Sequence, residues 1–154
     1  MNDECMDTDD LLKELTMTWH KTIPLSQFMQ VKAAEYDGRQ LSVSAPLEPN
    51  LNLHQTMFAG SIYTLMTLTG WGLIWLKQKQ CKLKGDIVLA KADIRYIAPI
   101  HEQPQAVVTW PNIDLSGLEK GRRVKCKLLI ELFCNEKRCA VFDGVYVTTP
   151  VENN

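Results

Sequence analysis

Between residues 9 and 20, Leu11, Leu12, Leu15 and Trp19 recur at intervals of three and four. That is the spacing of one helical face. Thr8 stands where a cap belongs, Asp9 and Asp10 suit the positive end of the helix dipole, and His20 and Lys21 suit the other end. Pro24 predicts the stop. The period then changes to two. Residues 28–36 read as a strand, Asp37-Gly38 as a hairpin turn, and residues 41–45 as the return. In that return Leu41, Val43 and Ala45 point inward, and Ser42 and Ser44 outward. A polar loop, 46–56, leads into a long apolar helix predicted over residues 58–78. Lysines 77, 79, 82 and 84 follow at its C-terminal end, where the dipole favours cations.

Residues 57–76 hold no charge and are long enough to cross a bilayer. Ser61, Tyr63, Thr64, Thr67, Thr69 and three glycines argue against a span. A helix buried on all sides within a soluble domain fits better. Four strands are predicted after it, over residues 86–98, 105–110, 122–134 and 138–149. In the first, Val88, Ala90, Ala92, Ile94, Tyr96 and Ala98 share the inward face, and Lys91, Asp93 and Arg95 the other. In 122–134, Val124, Cys126, Leu128, Ile130 and Leu132 turn inward, with Arg123, Lys125, Lys127 and Glu131 outward. Six strands with one apolar face can curl around one apolar helix, an α+β arrangement. Gly60, Gly70, Gly72, Ala90 and Ala92 permit the close approach. Residues 1–8 read as frayed, 1–24 as an acidic segment plus helix, 25–150 as the main domain and 151–154 as a tail.

Composition narrows the class without changing this picture. The 154 residues carry a net charge of −1, so no global field favours nucleic acid or an anionic membrane. Five cysteines occur without a CxxC pair, and no Cys/His group has metal-ligand spacing, so no metal is expected. The acidic start lacks the basic residues and apolar run of a signal peptide. Together these predict free thiols and a cytoplasmic location.

The order of elements resembles the hotdog fold of acyl-thioester enzymes. In one large thioesterase branch, the loop before the central helix reads Asn-x-x-Gly-x-x-His-Gly-Gly, with an Asp or Glu further along the helix. Asn52 and Gly60 fall on that frame. Gln55, Phe58 and Ala59 replace its first Gly, its His and its next Gly, and Thr67 stands at the carboxylate position. A closer resemblance is to a thioesterase family whose domain also occurs C-terminal to an acetyltransferase domain. Asn50-Leu-Asn52, Thr56-Met-Phe58-Ala59-Gly60-Ser61, Tyr63, Leu65, Thr69-Gly70-Trp71-Gly72, residues 85–90 and Ile94-Arg95-Tyr96 carry it. Members resemble malonyl-carrier-protein decarboxylases as well as thioesterases. The resemblance implies an acyl-CoA or acyl-carrier-protein thioester as substrate, no separate cofactor, and a homodimer or dimer of dimers formed through the strand at 86–98.

The chemistry such a substrate needs selects candidates. Backbone N–H groups at Ala59, Gly60 and Ser61, at the positive end of the helix, can hold the developing oxyanion. Gly60 lets a thioester approach the backbone; alternatively it only lets the helix pack. No Asp or Glu lies between residues 57 and 76, so the candidate base for hydrolysis is His54, which could equally be a surface residue. Ser61 could be a nucleophile or an ordinary first-turn residue. Decarboxylation of a malonyl thioester needs no base, only a polarised carbonyl and an apolar wall. Asn50, Asn52, Thr56 and the helix start could polarise, with Phe58 and Tyr63 as the wall. Both asparagines could instead be turn residues. Trp71 could line an acyl path or pack in the core. Lys82, Lys84, Arg122 and Arg123 could attract coenzyme A phosphates, phosphopantetheine or an acidic carrier protein, or simply solvate exposed faces. A non-catalytic thioester-binding module is the third reading.

Overall fold

A computed structural model describes residues 7–152. Cys5 and most of the segment expected to be frayed lie outside the described residues. Two helices, α1 (Thr8–Thr22) and α2 (Pro24–Phe28), precede the hairpin β1 (Lys32–Tyr36) and β2 (Gln40–Ser44). The long helix α3 (Ala59–Gln80) follows, then β3 (Gly85–Tyr96), β4 (Gln105–Thr109), β5 (Val124–Cys134) and β6 (Lys137–Pro150). All six strands form one antiparallel sheet in the order β1-β2-β4-β5-β6-β3. It wraps α3, the hotdog architecture that the resemblance implied. Among the described residues no helix is long and apolar enough to cross a membrane.

Pro24 does more than stop α1. It opens α2 at a position where its missing N–H costs nothing. The strand expected from residue 28 therefore starts only at Lys32, and Phe28 is exposed. Thr8 lies inside α1 rather than capping it; Asp7 takes the cap position without a side-chain bond. Leu15 and Trp19 are fully buried and press on Gly72 of α3, where an added Cβ would lie 2.7 Å from the Trp19 ring. The same helix closes one sheet edge: Thr16 Oγ1 accepts from the Ala33 amide at 3.0 Å, and the His20 ring meets the Val31 carbonyl at 2.7 Å. That blunts an edge that could otherwise template another strand.

Two expectations about facing fail in the sheet. Ser42 and Ser44, expected outward, are buried, because β2 is bonded on both flanks and its short side chains are closed off. In β3 the register with β6 jumps at Ala90. A bulge adds one residue and flips the faces beyond it. Ile87 and Leu89 therefore pack inward before the bulge, and Ala92 and Ile94 after it. Val88 and Ala90, expected inward, face solvent, Val88 at 55% exposure. β3 is also a sheet edge that no other described strand covers.

The helix α3 departs from its expected full burial too. Leu65, Met66, Leu73, Ile74 and Leu76 are fully enclosed. Tyr63, Thr67, Trp71 and Trp75, spaced by four, keep a stripe partly open. Trp71 nevertheless anchors β3, its Nε1 donating to the Ile87 carbonyl at 3.1 Å. Beside that stripe α3 meets Tyr146, fully buried, whose hydroxyl donates to the Thr67 carbonyl at 2.8 Å.

Candidate active site

The loop before α3 is built around one side chain. Leu51 and Met57 pair as an isolated antiparallel bridge, and the Asn52 amide donates to the Thr56 carbonyl at 2.9 Å. Gln55 turns the chain in a left-handed conformation, φ 62°. Asn52 Oδ1 accepts from the amides of His54 at 2.9 Å and Thr56 at 3.2 Å, the self-bonded turn that Asn favours. Its Nδ2 donates to Thr56 Oγ1 at 2.9 Å, leaving the second amide proton of that nitrogen uncommitted to the loop. Asn52 and Thr56 thus form one unit, half-buried at the loop's base.

Asn50 is placed differently. It is 2% exposed, and its Nδ2 donates to the carbonyls of Met29 at 3.0 Å and Pro46 at 2.8 Å. Its own carbonyl accepts from the Phe58 amide at 2.7 Å, and the Met57 amide reaches the Ile100 carbonyl at 3.0 Å. The chain therefore enters α3 held from both sides.

Phe58 is the N-cap residue and supplies no side-chain cap. The first-turn N–H groups at Ala59, Gly60 and Ser61 are thus left for solvent or a ligand. Phe58 is 54% exposed, and its ring folds over Gly60, where an added Cβ would lie 2.5 Å from it. Only glycine lets ring and helix come this close. Ser61 is half-buried, and among the described residues nothing hydrogen-bonds its hydroxyl. His54 is exposed, and its imidazole has no partner among the described residues. Thr67, at the position where the related frame carries a carboxylate, turns its hydroxyl to the Tyr63 carbonyl at 2.8 Å.

Tyr96 was not singled out as a site residue by sequence reasoning. From the end of β3 its hydroxyl donates to the Ala59 carbonyl at 3.0 Å, tying the sheet to the first turn of α3. Burial raises its phenol above the ordinary value, with the nearby Tyr63 as second cause. The Tyr146 phenol is raised by the same two causes in the same order, far more strongly because it is buried. The alternation that sets Tyr96 on the same face as Ala92 and Ile94 holds beyond the bulge; what it could not show is that the hydroxyl ends at the first turn of α3.

The basic candidates do not join this cluster within one chain. The 22 residues of α3 span about 33 Å, and Lys82 and Lys84 follow its far end. Arg122 and Arg123 precede β5, whose Val124 pairs with Thr148, itself paired with Ile87 at the start of β3. The topology thus gathers all four at the end of the sheet away from Gly60. Among the described residues no group of three His, Cys, Asp or Glu side chains stands ready to hold a metal.

The family described as "Putative thioesterase (yiiD_Cterm)" matches residues 12–150. A solved "putative thioesterase" from Shewanella oneidensis is 57% identical, covers 93% of this chain and 100% of its own, and superposes with a TM-score of 0.91. A protein of unknown function from Chlorobaculum tepidum is 27% identical over 93% of this chain and 96% of its own, TM-score 0.85. A Haemophilus influenzae thioesterase, 12% identical over 93% of both chains, shares the fold at a TM-score of 0.73. With nearly the whole described chain inside the match, from α1 to the end of β6, the protein belongs to this hotdog-fold thioesterase family.

Proposed function

We propose that the protein hydrolyses an acyl thioester of coenzyme A or of a carrier protein's phosphopantetheine at the first turn of α3. The observation that carries this reading is the uncapped, accessible start of α3 beneath the Phe58 ring. Water adds to the acyl carbon, negative charge builds on the carbonyl oxygen, and the uncapped first-turn amides, with the free amide proton of Asn52 as a further donor, are the groups to hold it. The carbon–sulfur bond then breaks, and the thiolate leaves as a thiol after taking up a proton. His54 is the candidate base, with the loop held open to solvent around it.

A second reading, decarboxylation of a malonyl thioester to the acetyl thioester and carbon dioxide, is favoured by one observation. The helix α3 carries no Asp or Glu, and among the described residues the His54 imidazole makes no hydrogen bond that would orient it as a base. A reaction without proton removal suits such a site. Incubation with long-chain and malonyl thioesters of both carriers separates the readings: free acid, or acetyl thioester with carbon dioxide. No turnover leaves a binding module. With hydrolysis, His54→Ala should lower the rate about 10²-fold or more; with decarboxylation it should keep most of its activity. Strong hydrolysis that survives His54→Ala removes that residue from the mechanism.

The assembly follows from β3. We propose a homodimer, or a dimer of such dimers, in which β3 pairs antiparallel with its copy. The uncovered edge and the exposed Val88 support it. A two-fold axis crossing β3 would set the Gly85 end of one copy beside the Tyr96 end of the other. Lys82, Lys84, Arg122 and Arg123 of one copy would then approach the first turn of α3 in its partner, supplying cations for the carrier's phosphates. The location proposed is cytoplasmic. Light scattering at micromolar concentration should give a mass near 35 kDa or a multiple of it, about twice the 17.5 kDa chain; a monodisperse monomer would rule the pairing out.

A further inference from the structure

Three tyrosines meet the first three turns of α3, and among the described residues only one of them has an unbonded hydroxyl. Tyr146 spends its hydroxyl on the Thr67 carbonyl and Tyr96 on the Ala59 carbonyl. The Tyr63 hydroxyl has no hydrogen-bond partner among the described residues, while its ring packs on another. It meets Phe142 edge to face, centroids 5.3 Å apart and planes at 71°. The residue is still 36% exposed, so its contact with Phe142 leaves part of the side chain open. Side chains on a helix lean back over the turn that precedes them. From residue 63 that is the turn of Ala59, Gly60 and Ser61.

Resting on the thioester reading above, we propose that the Tyr63 hydroxyl is the side-chain donor that meets the acyl carbonyl oxygen at this turn, with Tyr96 as a positioning residue. A neutral phenol donates a hydrogen bond and keeps its proton, so it takes no part in the proton balance. It serves hydrolysis and decarboxylation alike, because both build charge on the same oxygen. Tyr63 is the second cause, after burial, that raises the phenols of both Tyr96 and Tyr146, which agrees with its place between them. Tyr96 touches no substrate in this scheme. By holding the Ala59 carbonyl at 3.0 Å it fixes where the first-turn amides point.

Tyr63→Phe keeps the ring on Phe142 and removes only the hydroxyl. In the full-length protein, with the best thioester found, kcat should fall about 10²-fold, KM should change little, and Tm should stay put. Tyr96→Phe should lower kcat about 10-fold with KM unchanged, a split that a loosened fold would not give. A 13C-labelled ketone analogue of the acyl pantetheine supplies a readout without turnover. Its bound carbonyl resonance should lie further downfield with the wild type than with Tyr63→Phe. Wild-type kcat in Tyr63→Phe, or an unmoved resonance, overturns the assignment and leaves the thioester reading standing. A wild type that neither turns over thioesters nor binds the analogue overturns both.

Discussion

Asn52→Ala is expected to lower kcat by about 10²–10³, the scale of one lost oxyanion donor, whereas Asn50→Ala should show chiefly in stability. The two side chains are two residues apart and do different things. Asn52 holds the amides of His54 and Thr56 with its oxygen and spends one amide proton on Thr56 Oγ1. Its other proton is the donor that can face a substrate. Asn50 is 2% exposed and bound to the carbonyls of Met29 and Pro46. Truncating it leaves two inward-facing carbonyls without that donor, a cost of about 2 kcal/mol or more. Urea unfolding beside steady-state kinetics checks the pair. Turnover lost only with Asn50→Ala would reverse the ranking; turnover lost with neither would reduce both to loop builders.

Gly70→Ala and Gly60→Ala are the same chemical change on the same helix and should give opposite readouts. At Gly70 a new Cβ would land on the Tyr146 phenol, 2.5 Å from its Cζ. Tyr146 is fully buried and bonded to the Thr67 carbonyl, so it has nowhere to retreat. Overpacking costs about 1–3 kcal/mol and the broken hydrogen bond about 1, against about 1 gained in helix propensity. A net loss of about 2 kcal/mol, a fall in Tm of about 6 °C, is expected. At Gly60 the new Cβ meets only the half-exposed Phe58 ring, which can swing out. Stability should hold while turnover drops about 10²-fold, because the methyl group stands where the carbonyl must approach the first-turn amides. A calorimetric scan and the thioester assay on both variants decide it. A destabilised Gly60→Ala with normal specific activity would reduce Gly60 to a packing residue.

Much of the fold could be read along the chain because it rests on local periods. The apolar stripe of Leu11, Leu15 and Trp19 forms α1, the alternation from Val124 to Leu132 forms β5, and the uncharged run after Phe58 forms α3. The glycines at 60, 70 and 72 announced close approaches, and each has one, to Phe58, Tyr146 and Trp19. Facing was less legible. One unpaired residue, Ala90, reverses the inward and outward sets of half a strand, and alternation on either side of a bulge looks continuous in sequence. The stretch from Pro24 to Phe28 contains an apolar pair that suits strand or helix equally, and the proline at the first helical position settled it as a turn of helix.

The residues of the loop, its Asn and Thr and the glycine after the aromatic, were set by sequence alone, as was the lack of any carboxylate on α3. Their division of labour was not. Which asparagine is sealed in and which stays at the loop's base depends on where Met29 and Pro46 arrive from the preceding hairpin. That Tyr96 reaches Ala59, and that Tyr63 keeps its hydroxyl unspent beside it, depends on the path of β3 back along α3. Sequence dictates what repeats every two or four residues, because neighbours in the chain share one backbone geometry. Tertiary structure decides which distant side chains exhaust one another's hydrogen bonds, and so which are left for a ligand.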